Sequence, residues 1–196
     1  ALEIYNIAQD NIVKLFSDSR LGVSLDVADA KYTVTSMVES VMRHPDALML
    51  LASLRDKSDQ AVAHAVGVCT LSITLGRFIG FDRTQLADLG MGALLHDIGE
   101  IKITDDVMYS LSKHDIESVR QYQDHTTYGA AILHSAKGFP DSVIAIARDH
   151  HERANGTGYP QKLTGSQLDI YSMIVAIVDV YDNVTSGLHG KPSIPC

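Results

Sequence analysis

The chain lacks any unbroken apolar run long enough to span a bilayer; stretches such as Met173–Val178 fall far short of the roughly 20 residues required. No membrane segment is therefore expected in it. Cysteine is scarce, with Cys69 inside an apolar helical pattern and Cys196 at the last position, and neither a CxxC nor a secreted-type framework occurs. That excludes a disulfide scaffold and makes a reducing cytoplasm the expected location. Clustered positive charge is missing too, because 16 Lys and Arg are scattered among 24 Asp and Glu, for a formal charge of −8. Duplex DNA is held by grouped cations, so no duplex nucleic acid is an expected partner. A phosphate-bearing small molecule stays open, since bound metal cations can supply positive charge locally. Neither end reads as a signal or transit segment, and Ala1 opens directly in amphipathic sequence, as a trimmed end would.

Strand-like alternation is almost absent as well, whereas nearly every long segment shows helical periodicity. With 196 residues, 45% of them hydrophobic, the chain can bury a real core. The expected fold class is all-α. Helices are expected over a short stripe from Ile4 to Phe16, then over Val27–Met42, Gln60–Ile79, Asp82–His96, Ile116–Tyr122, Asp124–His134, Ser142–His151 and Leu168–Tyr181. Gly80 is a plausible C-terminal stop, Asp82 with Gln85 spells a capping box, and Ser112 with Asp115 spells another. Residues 153–165, "RANGTGYPQKLTG", are dense in turn formers and read as loop. The strongly apolar last helix is expected to be buried. Charged Arg55-Asp56-Lys57 marks a seam between a helical appendage, 1–55, and a main domain, 56–196.

What the chain does have is nine histidines in an acidic sequence. His96-Asp97 closes one apolar helix and His150-His151 closes another. Neighbours within a helix diverge by about 100°, but at a helix end two of them can straddle one or two ions. His64 and His125 lie inside helical patterns, and Asp179 sits in the apolar last helix, where an unpaired carboxylate would be costly. Singly, each histidine reads more readily as a hydrogen-bonded core residue than as a ligand. Jointly, five histidines and a bridging carboxylate would hold two divalent ions, with positions left for water and substrate. Imidazole and carboxylate without thiolate suit Fe, Mn or Zn rather than Ca. His44, His114, His134 and His189 have no such company and are assigned to surface or packing.

The motifs "HDIGE" (96–100), "DHTTYGAAIL" (124–133), "HHERANGTGYP" (150–160) and "AIVDVYDNVTS" (176–186) together resemble the HD-GYP subgroup of the HD-domain metal-dependent phosphohydrolases. The resemblance runs from about His64 to Ser186; residues 1–55 resemble, less specifically, the helical region that precedes this domain in one branch. It implies a bundle of the HD-domain type with a di-iron, di-manganese or trinuclear centre. It also implies bacterial second-messenger signalling, with hydrolysis of cyclic di-GMP to pGpG or GMP, or of cyclic GMP-AMP in some members. Carried over residue by residue, the metal ligands are His64, His96, Asp97, His125, His150, His151 and Asp179, with Asp97 as the bridging, catalytic carboxylate. Gly156 and Gly158 would shape the loop, and Gly158 and Tyr159 would contact substrate. A homodimer or a regulatory sensor domain is the expected protein partner.

Three departures modify that expectation. The family usually ends HDIG with lysine, which can pair with a substrate phosphate; here Glu100 would repel one, or else point away to the surface. Lys102, two residues on, is then the candidate catalytic and substrate-binding cation. Gln60 stands four before His64, where members with a third metal carry glutamate, so two ions are expected, Fe or Mn before other transition metals. After Asp182 only Lys191 is basic, and the end reads as cut short. These departures leave a rival expectation, a weak or inactive cyclic-dinucleotide sensor that keeps its metal site.

Overall fold

A computed structural model describes residues 1–44, 46–48, 50, 60–111, 113 and 115–186, and every regular element among them is helical. Helix α1 (Leu2–Arg20) turns at Gly22, whose φ of +74° suits a residue without a Cβ, into α2 (Val27–Arg43). The Asp26 side chain caps α2 by accepting from the Ala28 and Asp29 amides. Helix α3 (Gln60–Phe78) ends at Gly80, and α4 (Arg83–Leu95) opens on the expected Asp82/Gln85 capping box. A 3-10 helix (Ile98–Lys102), α5 (Asp105–Leu111) and α6 (Ile116–Gln123) follow. The chain then forms α7 (His125–Ala136), α8 (Asp141–Asp149), the turn-rich loop, and α9 (Ile170–Thr185).

One continuous core joins these pieces, from Ile12 and Leu15 of α1 through Met37, Ile73, Leu89 and Leu94 to Ile146 and Val175. Helix α3 is apolar on nearly all sides because it lies inside, against α1, α2, α4 and α9. By length and composition alone, Gln60–Phe78 is apolar enough to cross a membrane, which the short unbroken runs did not suggest; burial in this core accounts for that composition. Small residues set the spacing. A Cβ on Gly92 of α4 would fall 2.2 Å from Ile146 Cδ1, so glycine lets α4 and α8 approach closely.

Several expectations change. Asp115 itself caps α6, accepting from the Ser118 amide and hydroxyl, so no capping box led by Ser112 is needed; Ser112 lies outside the described residues. The 3-10 helix and α5 are too short for periodicity to show. Helix α9 is buried on one face only, with Ile177 64% exposed and Val180, Tyr181 and Val184 also exposed. The seam at 55–57, His114, His189 and Lys191 lie outside the described residues. His44 and His134 are exposed, as read from their isolation.

Candidate metal centre

Helix ends bring the candidate ligands together. His96 is the residue that closes α4, Asp97 precedes the 3-10 helix, His125 opens α7, and His150 closes α8 with His151 next. His64 comes from α3 and Asp179 from α9. Gly99 sets the crossing: a Cβ there would sit 1.9 Å from the His125 carbonyl oxygen and 2.5 Å from the Gly129 nitrogen. Only glycine lets the 3-10 helix lie backbone to backbone against α7, which puts Asp97 opposite His125.

All seven candidate ligands converge in two groups. In one, His64, His96 and Asp179 place their ligand atoms within 4.8 Å of one another; in the other, Asp97, His125, His150 and His151 do the same. Asp97 joins the groups through its two oxygens. Oδ1 lies 3.4 Å from His125 Nε2 and 3.3 Å from His150 Nε2, while Oδ2 lies 3.1 Å from His96 Nε2 and 3.7 Å from His64 Nε2. Asp179 Oδ1 lies 3.2 Å from His64 Nε2.

Hydrogen bonds behind the rings fix which nitrogen faces inward. His64 Nδ1 donates to Asp182 Oδ2 at 2.7 Å, His96 Nδ1 to the Ala93 carbonyl at 2.8 Å, and His125 Nδ1 to the Tyr122 carbonyl at 2.7 Å. His150 Nδ1 faces the Ile146 and Ala147 carbonyls, both at 3.1 Å. With protons held at Nδ1, each neutral ring turns an Nε2 lone pair toward the centre, the arrangement a metal requires. The Nε2 atoms of His125 and His150 then meet 3.4 Å apart as two acceptors. Among the described residues, buried His96 Nε2 and Asp97 Oδ1 have no hydrogen-bond partner. Such orphaned acceptors are costly unless a cation fills the space between them, so the residues fit a pair of divalent ions.

Metal-free, the groups titrate in opposite directions. Burial disfavours charge on His64, but the Asp179 and Asp182 carboxylates outweigh it and push the ring up to about 10. His96 is raised for the same reason, burial being overcome by Asp97. Burial and neighbouring imidazoles drive His150 and His151 down. Burial also opposes charge on Asp97, yet His96, His125 and His150 around it hold its carboxyl well below the usual range.

The remaining expected site residues divide. Lys102 does not join the ligands; it lines a separate cavity of about 700 Å³ with Ser19, Leu25, Tyr128 and Ile132. The reason is the tight turn: in a 3-10 helix positions i and i+3 eclipse, so Glu100 follows Asp97 into the site while Lys102 turns away. Glu100 accordingly lines a cavity of about 240 Å³ with His64, Asp97, His151 and Asp179, and accepts from the Tyr122 hydroxyl at 2.5 Å. Gln60 lines the same cavity. Gly158 packs rather than reaching out, since a Cβ would lie 2.4 Å from Glu152 Cα and the Arg153 nitrogen. Tyr159 stacks on His151 with ring centroids 4.8 Å apart.

Three contributors were not singled out from sequence. Asp182 orients His64, and Asn183 donates to Asp179 Oδ1 at 2.7 Å; the three- and four-residue spacings from Asp179 on one helix were the available signal. Buried Glu152 accepts from the Gln161 and Leu163 amides at 2.6 and 2.9 Å, tying the GTGYP loop under the ligands. No local spacing announces that contact.

The HD domain family model matches residues 48–194. A protein named cyclic di-GMP phosphodiesterase from Pseudomonas aeruginosa is 33% identical over 179 residues, covering 91% of this chain and 43% of that protein. A 3'3'-cGAMP-specific phosphodiesterase of Vibrio cholerae is 31% identical over 134 residues, covering 68% of this chain and 26% of that protein. A cyclic di-GMP phosphodiesterase of Thermotoga maritima is 33% identical over 144 residues, covering 71% of this chain and 38% of that protein. The chain thus spans less than half the length of these curated relatives. Among solved structures, an HDG"Y"P protein from Bdellovibrio bacteriovorus superposes with a TM-score of 0.81 at 26% identity, covering 96% of this chain and 61% of that one.

Proposed function

The chain belongs to the HD domain family, in its HD-GYP subgroup, and from that premise we propose that it is a metal-dependent phosphodiesterase hydrolysing a cyclic dinucleotide, cyclic di-GMP first. The observation that carries this reading is Asp97, which offers one oxygen to each of two histidine-rich groups. The relatives' names cover both cyclic di-GMP and 3'3'-cGAMP.

His64, His96 and Asp179 would hold one ion and His125, His150 and His151 the other, with Asp97 shared. Nitrogen and oxygen donors without thiolate fit Fe or Mn, and neutral Gln60 keeps the count at two. When bound, such a pair supplies Lewis acidity toward a phosphate and toward water. The chain's own residues do the positioning. Asp182 and the carbonyls of Ala93, Tyr122, Ile146 and Ala147 hold the Nδ1 protons, so that the rings present fixed lone pairs. Phe16, Ala61, Ala65 and Met108 add an apolar part to the lining of the cavity. No Lys or Arg stands among the described lining residues, so phosphate charge would be met by the cations.

That missing cation, with Glu100 facing inward, favours one second reading: a sensor that binds the dinucleotide without turnover. The test is hydrolysis of cyclic di-GMP, followed by chromatography, with protein loaded with Fe(II) or Mn(II) without air. Turnover that a chelator abolishes and added metal restores supports the enzyme. Tight binding with full metal occupancy and no product supports the sensor.

A further inference from the structure

The turn that carries Glu100 toward the ligands takes Lys102 to a second cavity, and no residue lines both that cavity and the one beside the ligands. Its walls are the turn between α1 and α2, with Val23 and Leu25, and the face of α7 that carries Ala131, Ile132 and Ala136. Its volume of about 700 Å³ falls inside the roughly 300–1,000 Å³ of whole small-molecule sites. The phosphodiesterase chemistry proposed above gives this cavity no role.

The chain carries 24 Asp and Glu against 16 Lys and Arg, yet among the described lining residues none is acidic and Lys102 alone is charged. The Lys102 amine pairs with no carboxylate among the described residues. Ser19, only 7% exposed, and Tyr128 line the same cavity, and their hydroxyls have no hydrogen-bond partner among the described residues. An ammonium and a hydroxyl both donate, whereas an ionised carboxylate only accepts, so the polar part of this lining suits an acid group. One cation with no second beside it matches a single negative charge; a doubly charged phosphate monoester would leave charge unmet. The apolar part, Val23, Leu25, Ala131, Ile132 and Ala136, is aliphatic and suits an alkyl chain.

We propose that this cavity binds a small aliphatic carboxylate, with the acid group on Lys102 and the Ser19 and Tyr128 hydroxyls and the alkyl chain along Leu25, Ala131 and Ile132. The site is separate from the metal centre but shares its supports: Lys102 ends the 3-10 helix that follows Asp97, and Tyr128 stands on α7, which His125 opens. Decanoate is the probe, titrated by calorimetry into the metal-loaded chain. It should bind one to one with a Kd of about 1 mM or tighter, as ligand efficiency allows for its roughly 12 non-hydrogen atoms. Acetate, which carries the same acid group without the chain, should not displace it; this separates the cavity from carboxylate binding at the metals. Lys102→Met should weaken decanoate roughly five- to tenfold, the loss of a hydrogen bond to a charged group, and Lys102→Glu should remove binding altogether. Ala131→Phe, which fills the cavity, should remove it as well. Both positions are exposed, so helix content and metal content should stay as in the unaltered chain. Ile177→Ser, on the exposed apolar face of α9, should leave decanoate affinity unchanged. No binding in the unaltered chain, displacement by acetate, or binding that survives either Lys102→Glu or Ala131→Phe would overturn the proposal.

Discussion

On one side of Asp97 stand His64, His96 and Asp179, with the Asp182 carboxylate behind His64; on the other stand His125, His150 and His151, with backbone carbonyls behind the first two. The first half is rich in carboxylate and the second in imidazole. Metal-free, the first therefore gathers protons, His64 being pushed up to about 10. In the second, burial and mutual repulsion hold His150 and His151 neutral. One half must shed protons to take a cation, whereas those two rings already present bare lone pairs. Two groups that share one aspartate thus differ in how strongly protons compete with a cation.

The largest effect is expected from removing the aspartate that the halves share. Asp97→Ala should take the bound ions from two to none and reduce hydrolysis to background, read by elemental analysis and product assay. Asp179→Ala and His150→Ala should each cost one ion. Full metal stoichiometry in Asp97→Ala would mean that the halves do not share a ligand.

The asymmetry was only partly legible in the sequence. Histidine pairs at helix ends, and their match to the family motifs, pointed to all seven residues that converge. The spacing alone could not place Glu100, because the stretch after Asp97 is a single 3-10 turn, too short for any periodicity; the eclipse of 97 and 100 appears only once that turn is known. The same turn explains why Lys102, the nearest cation in sequence, faces a different cavity. Asp182 was hidden by its helix: three residues from Asp179, it reads as a polar break in an apolar pattern until His64, 118 positions away, is seen against it. Glu152, not singled out in the sequence, anchors a loop through amides nine and eleven residues on. Local rules point to candidate ligands at helix ends; they do not find the groups that hold those side chains still.

A milder change sharpens the contrast. Asp182→Asn keeps a hydrogen-bonding side chain but removes the charge that orients and enriches His64. The affinity of one ion should drop by roughly 10–100-fold, while the other ion, held by His125, His150 and His151, stays. A metal titration should then resolve two steps further apart than in the unaltered chain. Loss of both ions together would show that the halves are not separable.

The smallest effect is on stability against pH, and its sign follows from the raised group. His64 has an ordinary value of 6.5 and a folded value of about 10 in the metal-free chain. Its proton therefore contributes stability that is fully present below about 6.5 and is lost as pH rises through about 10. His96 and His125 are raised as well and act in the same direction. His150 and His151 are lowered, so their opposing contribution appears only as pH falls below 6.5, outside this window. Chelator-treated protein should accordingly lose several degrees of melting temperature between pH 6.5 and 9.5. Metal-loaded protein should lose much less, because a cation occupies the place of the proton and does not titrate away. Parallel melting curves with and without chelator across that range would mean that the carboxylate-rich half holds no extra proton, and the difference between the halves would be one of geometry alone.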